Sequence, residues 1–124
     1  MENNYGCCSL LRELDLSSNN LVTLSENALE GLYNLEILNL NGNRFREVPS
    51  TALKKLHQLG ILDLSDNTEM QTISNAAFSE NKGLKELRLR GCRIRTIGNS
   101  AFSTLGRAFY LQWVFTLFKL HVIL

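Results

Sequence analysis

Leucines recur along the chain at a fixed spacing, inside blocks where apolar and polar residues alternate. Leu11, Leu35, Leu59 and Leu84 open four segments spaced by 24, 24 and 25 residues. Three places on stand Leu14, Leu38, Leu62 and Leu87, and two places further Leu16, Leu40, Leu64 and Leu89. A polar column follows, Asn19, Asn43, Asn67 and Cys92. Apolar columns resume with Leu21, Phe45, Met70 and Ile94, then Leu24, Val48, Ile73 and Ile97, with one extra residue between Asn67 and Met70 in the third segment. The back half keeps phase as well: Ala28, Ala52, Ala77 and Ala101, then Leu29, Leu53, Phe78 and Phe102, then Leu32, Leu56, Asn81 and Leu105.

This pattern predicts one short strand per segment. Leucines at the fourth and sixth places fall on one face of an extended chain, and the third, fifth and seventh places point the other way. A single segment cannot fold alone. Burying an apolar side chain is worth about 1.5–3 kcal/mol, whereas each ordered residue costs about 1.5 kcal/mol, and a segment has far more residues than buried side chains. Segments therefore have to stack with their strands parallel, and the bulkier back half on the outside bends the stack into an arc. The Asn column meets a second need, because after each strand the backbone turns inward and an amide supplies both the donors and the acceptor that the turn leaves unsatisfied.

The columns resemble the leucine-rich repeat family, whose unit reads L-x-x-L-x-L-x-x-N/C-x-L; the resemblance covers about residues 11–107. It implies an α/β leucine-rich repeat solenoid: a right-handed β-α superhelix in a horseshoe arc, with a parallel concave sheet and an irregular convex side. The units are 11–34, 35–58, 59–83 and 84–107. Their 24-residue length and the Ala-Phe or Ala-Leu pair in the back half are similar to the typical subfamily of animal cell-surface and matrix proteins. The family pattern admits Cys92 in the Asn column, where its S–H is a weak donor, so Cys92 reads as a structural ladder residue with Asn19, Asn43 and Asn67 rather than as a reactive thiol.

Both ends depart from the pattern. Residues 1–10 read as the back half of a partial N-terminal unit, with Cys8 in the place of a buried Leu, Cys7 outward, and no spaced four-Cys cap. Residues 108–124 form an apolar tail that could pack irregularly on the last unit, make a degenerate fifth unit, or be an end without a folded role. A membrane span is disfavoured, because Gln112, Lys119 and His121 interrupt a stretch already shorter than the roughly 20 apolar residues a span needs.

The expected concave face exposes Glu13, Asp15 and Ser17, then Ile37, Asn39 and Asn41, then Ile61, Asp63 and Ser65, then Glu86, Arg88 and Arg90. Ile37 and Ile61 side by side make a candidate contact patch, or an ordinary exposed apolar pair. Charge changes the picture more. A formal net charge of +1 conceals six Lys/Arg against eleven Asp/Glu in residues 1–83, and seven Lys/Arg against the single Glu86 thereafter. Lys85, Arg88, Arg90, Arg93 and Arg95 cluster at that basic end, with Arg88 and Arg90 on the face and Arg93 and Arg95 on its rim. Such a cluster suits an acidic protein or a sulfated glycan, or is a solvated face partly neutralised by Glu86, Asp63 and Asp66. Nucleic acid is a poor fit, since no aromatic residues interleave with the arginines.

Catalysis finds little material. His57 and His121 are the only histidines, there is no phosphate-cradling Gly-rich loop, and Gly42 and Gly91 fit tight turns. No metal or cofactor is expected. At 124 residues with 44% hydrophobic and 20% charged positions the chain makes one folded domain. The expected function is a non-catalytic protein-interaction module, a fragment or short form of a cell-surface or extracellular protein of adhesion or receptor type. The alternative is an intracellular adaptor or scaffold, favoured by the absence of a signal-peptide pattern and of any N-x-Ser/Thr site.

Overall fold

Strands form where the inward–outward alternation falls. The computed structural model describes residues 10–105, so the partial unit before Leu10 with Cys7 and Cys8, and the tail 108–124, lie outside the described residues. The elements are β1 (Glu13–Asp15), β2 (Ile37–Asn39), α1 (Ser50–Leu53), β3 (Ile61–Asp63), β4 (Thr72–Ile73), β5 (Glu86–Arg88) and β6 (Thr96–Ile97). β1, β2, β3 and β5 make one open parallel sheet in that order. Its register is that of the leucine columns: Leu14 pairs Leu38, Leu38 pairs Leu62, and Leu62 pairs Leu87.

The same backbone bonds recur from unit to unit. The N–H groups of Leu16, Leu40 and Leu64 donate to the carbonyls of Asn39, Asp63 and Arg88, each at 2.8 Å. Because one pattern is copied down the stack, the outward side chains are free to differ. Beneath the sheet lies one continuous core of leucines from the fourth and sixth places, closed on the far side by back-half residues such as Phe45, Leu53, Leu56 and Phe78. Phe78 and Phe102 stack with ring centroids 6.0 Å apart. Apart from the four-residue α1 and the two-residue strands β4 and β6, the chain outside the concave sheet has no helix or strand among the described residues.

A second, two-stranded parallel ladder joins β4 to β6, with Ile73 paired to Ile97. It is closed by Gly98 N–H donating to Ile73 O at 2.7 Å. The residue at the Gly98 place two units earlier is Pro49, which has no N–H, so the corresponding bond cannot form between the first two units. The β-branched Thr72, Ile73, Thr96 and Ile97 favour the extended chain where it does form.

The Asn column fills the interior of the turns. Asn43 Nδ2 donates to Leu16 O at 2.9 Å and Leu40 O at 3.0 Å, while its Oδ1 accepts the N–H groups of Asn19 and Leu21. Asn67, fully buried, repeats this with Leu40 O at 3.1 Å, Leu64 O at 2.9 Å and Phe45 N–H at 3.0 Å. Each amide therefore staples its own turn to the one before. Asn19 stands at the described edge, exposed, and among the described residues its Nδ2 donates to its own turn, at Ser17 O.

The fourth copy differs for a local reason. By analogy with Leu21 and Phe45, the N–H of Met70 would look to the fourth ladder residue for an acceptor. The extra residue in the third unit instead turns the chain so that Met70 N–H donates to Asn67 O at 3.0 Å. Less is then asked of the fourth ladder residue: Cys92 Sγ donates to Leu64 O at 3.1 Å and accepts from the Asn67 N–H.

Replacing Asn67 by Ala leaves the buried Phe45 N–H without its acceptor and takes one of two donors from Leu40 O and from Leu64 O, which keep Asn43 Nδ2 and Cys92 Sγ, so we expect a loss of about 2–3 kcal/mol in urea unfolding, at roughly 1–3 kcal/mol for a buried unsatisfied group. Asn19→Ala is expected to cost no more than about 1 kcal/mol, since its neighbours can bond to water. Equal losses at the two positions would show that the amide ladder does not hold the turns.

Candidate functional site

Parallel pairing sets the outward residues in two rows across the sheet. Glu13, Ile37, Ile61 and Glu86 make one row, and Asp15, Asn39, Asp63 and Arg88 the other. Neighbouring strands lie about 4.8 Å apart, so Ile37 and Ile61 touch side by side, half-buried, with a glutamate at either end of their row.

The second row is less free than its outward direction implies. Asp15, Asn39 and Asp63 each accept, through Oδ1, the N–H two residues on, at Ser17, Asn41 and Ser65, all at 2.9 Å. These are Asx turns that end the strands; they leave Asp15 a second carboxylate oxygen and Asn39 its Nδ2 donor, while the second oxygen of Asp63 faces Arg88 at 3.9 Å. At Asp15 the hydrogen bonds from Ser17 hold the carboxyl below its usual range. Ser65 corrects the sequence expectation. It is 7% exposed, not outward. β3 ends at Asp63, so the alternation does not reach it, and its N–H and carbonyl are both engaged, with Asp63 and with Gly42 N–H.

The basic end divides into one held cation and four free ones. Arg88 Nε donates to Glu86 Oε1 and its guanidinium lies 3.9 Å from Asp63, contacts that raise its pKa further. These partners are partly exposed and the pairing is correspondingly weak. Lys85, Arg90, Arg93 and Arg95 are exposed, and among the described residues no ion pair or side-chain hydrogen bond engages them. Their backbones are nevertheless fixed: Arg90 O accepts from Asp66 N–H at 2.7 Å, Arg93 N–H donates to Met70 O at 3.1 Å, and Arg95 N–H to Gln71 O at 2.7 Å. In the first three units three cations have carboxylate partners, Arg12 with Glu36, Arg44 with Glu69 at 3.4 Å and Lys55 with Glu30 at 3.6 Å, while no ion pair engages Arg46, Lys54 or Lys82 among the described residues.

The rows meet a feature that the sequence reading missed. Before the strands of the second, third and fourth units, a half-open hollow of about 690 Å³ is lined by Ile37, Gly60, Ile61, Gly83, Lys85 and His57, among others. Its signal was present in the columns, since Gly60 stands where the other units carry Arg12, Glu36 and Lys85. Asn81 was also overlooked; it is buried in a leucine column and donates to Leu53 O at 3.0 Å and Leu56 O at 3.2 Å, at the end of α1.

Among the described residues no group of three or more His, Cys, Asp and Glu could hold a metal ion, and no helix is long and apolar enough to cross a membrane. His57 is exposed at the edge of the hollow. Cys92 is a free thiol, half-buried, and burial pushes its pKa up to about 11.

A family model described as leucine rich repeat matches residues 5–45 and 33–94. No curated protein matches the chain.

The thiol generates a pH prediction. Its folded pKa of about 11 lies above the ordinary 9.0, so the folded state holds the proton more tightly. The resulting stability is fully present below pH 9 and is lost as pH rises through about 11. Relative to Cys92→Ser, the native chain should therefore lose about 1–3 kcal/mol across that interval, at about 1.4 kcal/mol per pKa unit. Parallel pH profiles for the two proteins would contradict the buried-thiol reading.

Proposed function

Because the chain belongs to the leucine-rich repeat family, we propose that it is a recognition module whose binding surface is the concave sheet together with its basic rim. Leucine-rich repeats are protein-interaction modules, generally without catalytic activity. The finer reading is a protein ligand with an acidic surface, or a sulfated glycan, held at the basic end. It rests on one observation: Lys85, Arg90, Arg93 and Arg95 are exposed and unmatched on anchored backbone, next to the weakly paired Arg88. Arginine forks suit carboxylates and sulfates, and a guanidinium with no internal partner has no ion pair to give up on binding. Nucleic acid is not proposed, because no aromatic platform accompanies the arginines.

The proposed setting is extracellular or at the cell surface, in adhesion or receptor work, from the 24-residue unit. An intracellular adaptor is the second reading, favoured by Cys92, a free thiol of the kind that persists in reducing compartments.

The rim is tested by calorimetric titration with a heparin-derived oligosaccharide and, separately, with a polyglutamate peptide. Arg90→Glu, Arg93→Glu and Arg95→Glu together should weaken binding of one or both at least tenfold and flatten its dependence on salt. Arg88→Glu alone should have a smaller effect, since Arg88 already has carboxylate partners. Unchanged affinity in the triple variant would rule out the basic rim as the binding surface.

A further inference from the structure

Two glycines on the sheet edge have no backbone reason to be glycine. Gly42 and Gly91 do: their φ angles are +70° and +79°, and a Cβ at Gly91 would lie 2.2 Å from Asp66 Oδ1. Gly60 and Gly83 lie outside that left-handed region, and an added Cβ would come no closer than 3.7 Å to Glu36 O and 3.5 Å to His57 O, ordinary van der Waals contacts. The backbone at Gly60 is regular too, with its N–H on Glu36 O at 2.8 Å and its carbonyl accepting from Lys85 and Glu86. Side chains are therefore permitted at both places, and the other units have them: Arg12, Glu36 and Lys85 at the place of Gly60, Asn34 and Gln58 at that of Gly83. Gly60 leads into β3 and Gly83 lies in the turn before β5, and a glycine beside a strand often marks a place where a ligand or another backbone approaches closely. Here the two missing side chains open the hollow of about 690 Å³ beneath Ile37 and Ile61.

The charges around the hollow select an occupant. Glu36 and Glu86 border it, but Arg12 neutralises the first and Arg88 the second. Lys85, in the wall beside the apolar pair, has no acidic partner among the described residues, so it is the lining's one charged side chain left without an ion pair. We infer that this hollow is a peptide subsite, taking an apolar side chain over Gly60 against Ile37 and Ile61 while a carboxylate on the same peptide pairs with Lys85. This rests on the protein-recognition reading above and names the ligand chemistry at a place distinct from the arginine rim. Volumes of about 300–1,000 Å³ are typical of sites that enclose a small ligand or an anchor side chain.

The test uses the full chain and a fluorescein-labelled peptide with one Phe flanked by Asp residues, read by fluorescence anisotropy and by amide chemical shifts. Two controls replace the Phe by Ala, or the Asp residues by Lys. The expected result is binding of the Phe/Asp peptide alone, with shifts at Gly60, Ile61 and Gly83. Gly60→Gln, which gives the third unit a long polar side chain like those of its neighbours, should weaken binding at least tenfold while leaving the unfolding midpoint level or raised. Lys85→Gln should weaken it three- to tenfold, and Arg93→Gln with Arg95→Gln less than threefold. Peptide binding that ignores Gly60→Gln but falls with the Arg93/Arg95 variant overturns the subsite and leaves the rim standing. No measurable binding of the Phe/Asp peptide overturns the subsite as well. Binding that depends on Gly60 and Lys85 while the rim variants retain full affinity for heparin and polyglutamate supports the subsite and overturns the rim.

Discussion

A carbonyl turned into an apolar interior must find a donor, and in a stack of similar turns the same carbonyl returns once per unit. The ladder residue answers that demand. Asn43 and Asn67 reach both their own turn and the one before, so the polar groups that would forbid the turn become the links between units. Everything apolar depends on this: Leu16, Leu40 and Leu64, whose carbonyls the column satisfies, are the leucines that carry the chain from strand into core. The demand also explains how the column can change. Once the extra residue of the third unit lets Met70 N–H bond to Asn67 O, the ladder residue has one N–H fewer to accept, and a thiol that donates to Leu64 O and accepts from the Asn67 N–H serves in the fourth unit. An insertion and a substitution a unit apart are thus one adjustment.

Copying the backbone pattern has an electrostatic consequence. Since the fold needs only the inward leucines and the ladder, outward positions answer to nothing inside, and charge can accumulate at one end without strain. The first three units spread their cations out and pair half of them with carboxylates, Arg12 with Glu36, Arg44 with Glu69 and Lys55 with Glu30. The fourth unit's outward and rim positions carry Lys85, Arg90, Arg93 and Arg95 with none. Like charges so close repel, and a binding surface is the setting in which that repulsion is relieved by a partner of opposite sign.

Much of this was legible in the sequence, for a physical reason. Strand positions, register and core follow from a period of 24 and an alternation of two, and both are written directly in residue order: Leu38 had to pair Leu62 if the units stack. What depends on the exit from the strand was not legible. Ser65 is buried because β3 stops at Asp63, and the same Asx turns convert Asp15, Asn39 and Asp63 from free carboxylates and amides into partly occupied ones. Nor do the columns reveal side-chain partnerships. Arg88 and Arg90 look alike as alternating outward arginines, yet one faces Glu86 and Asp63 and the other neither. Asn81 reads as a flaw in a leucine column until the carbonyls of Leu53 and Leu56 are seen above it.

Departures from the repeat therefore fall into two kinds, and the backbone separates them. Some are required or compensated from within: the insertion with Cys92, Asn81 with the end of α1, Gly91 with the Asp66 side chain lying across it. Others find no internal partner. Gly60 and Gly83 accept a Cβ without displacement, and Lys85 and the rim arginines have no counter-charge among the described residues. A departure that folding neither demands nor offsets is unfavourable in the isolated chain, through glycine flexibility or through repulsion. These uncompensated positions converge on the third and fourth units, around one edge of one sheet, and it is there that a second molecule would supply what the fold leaves unmet.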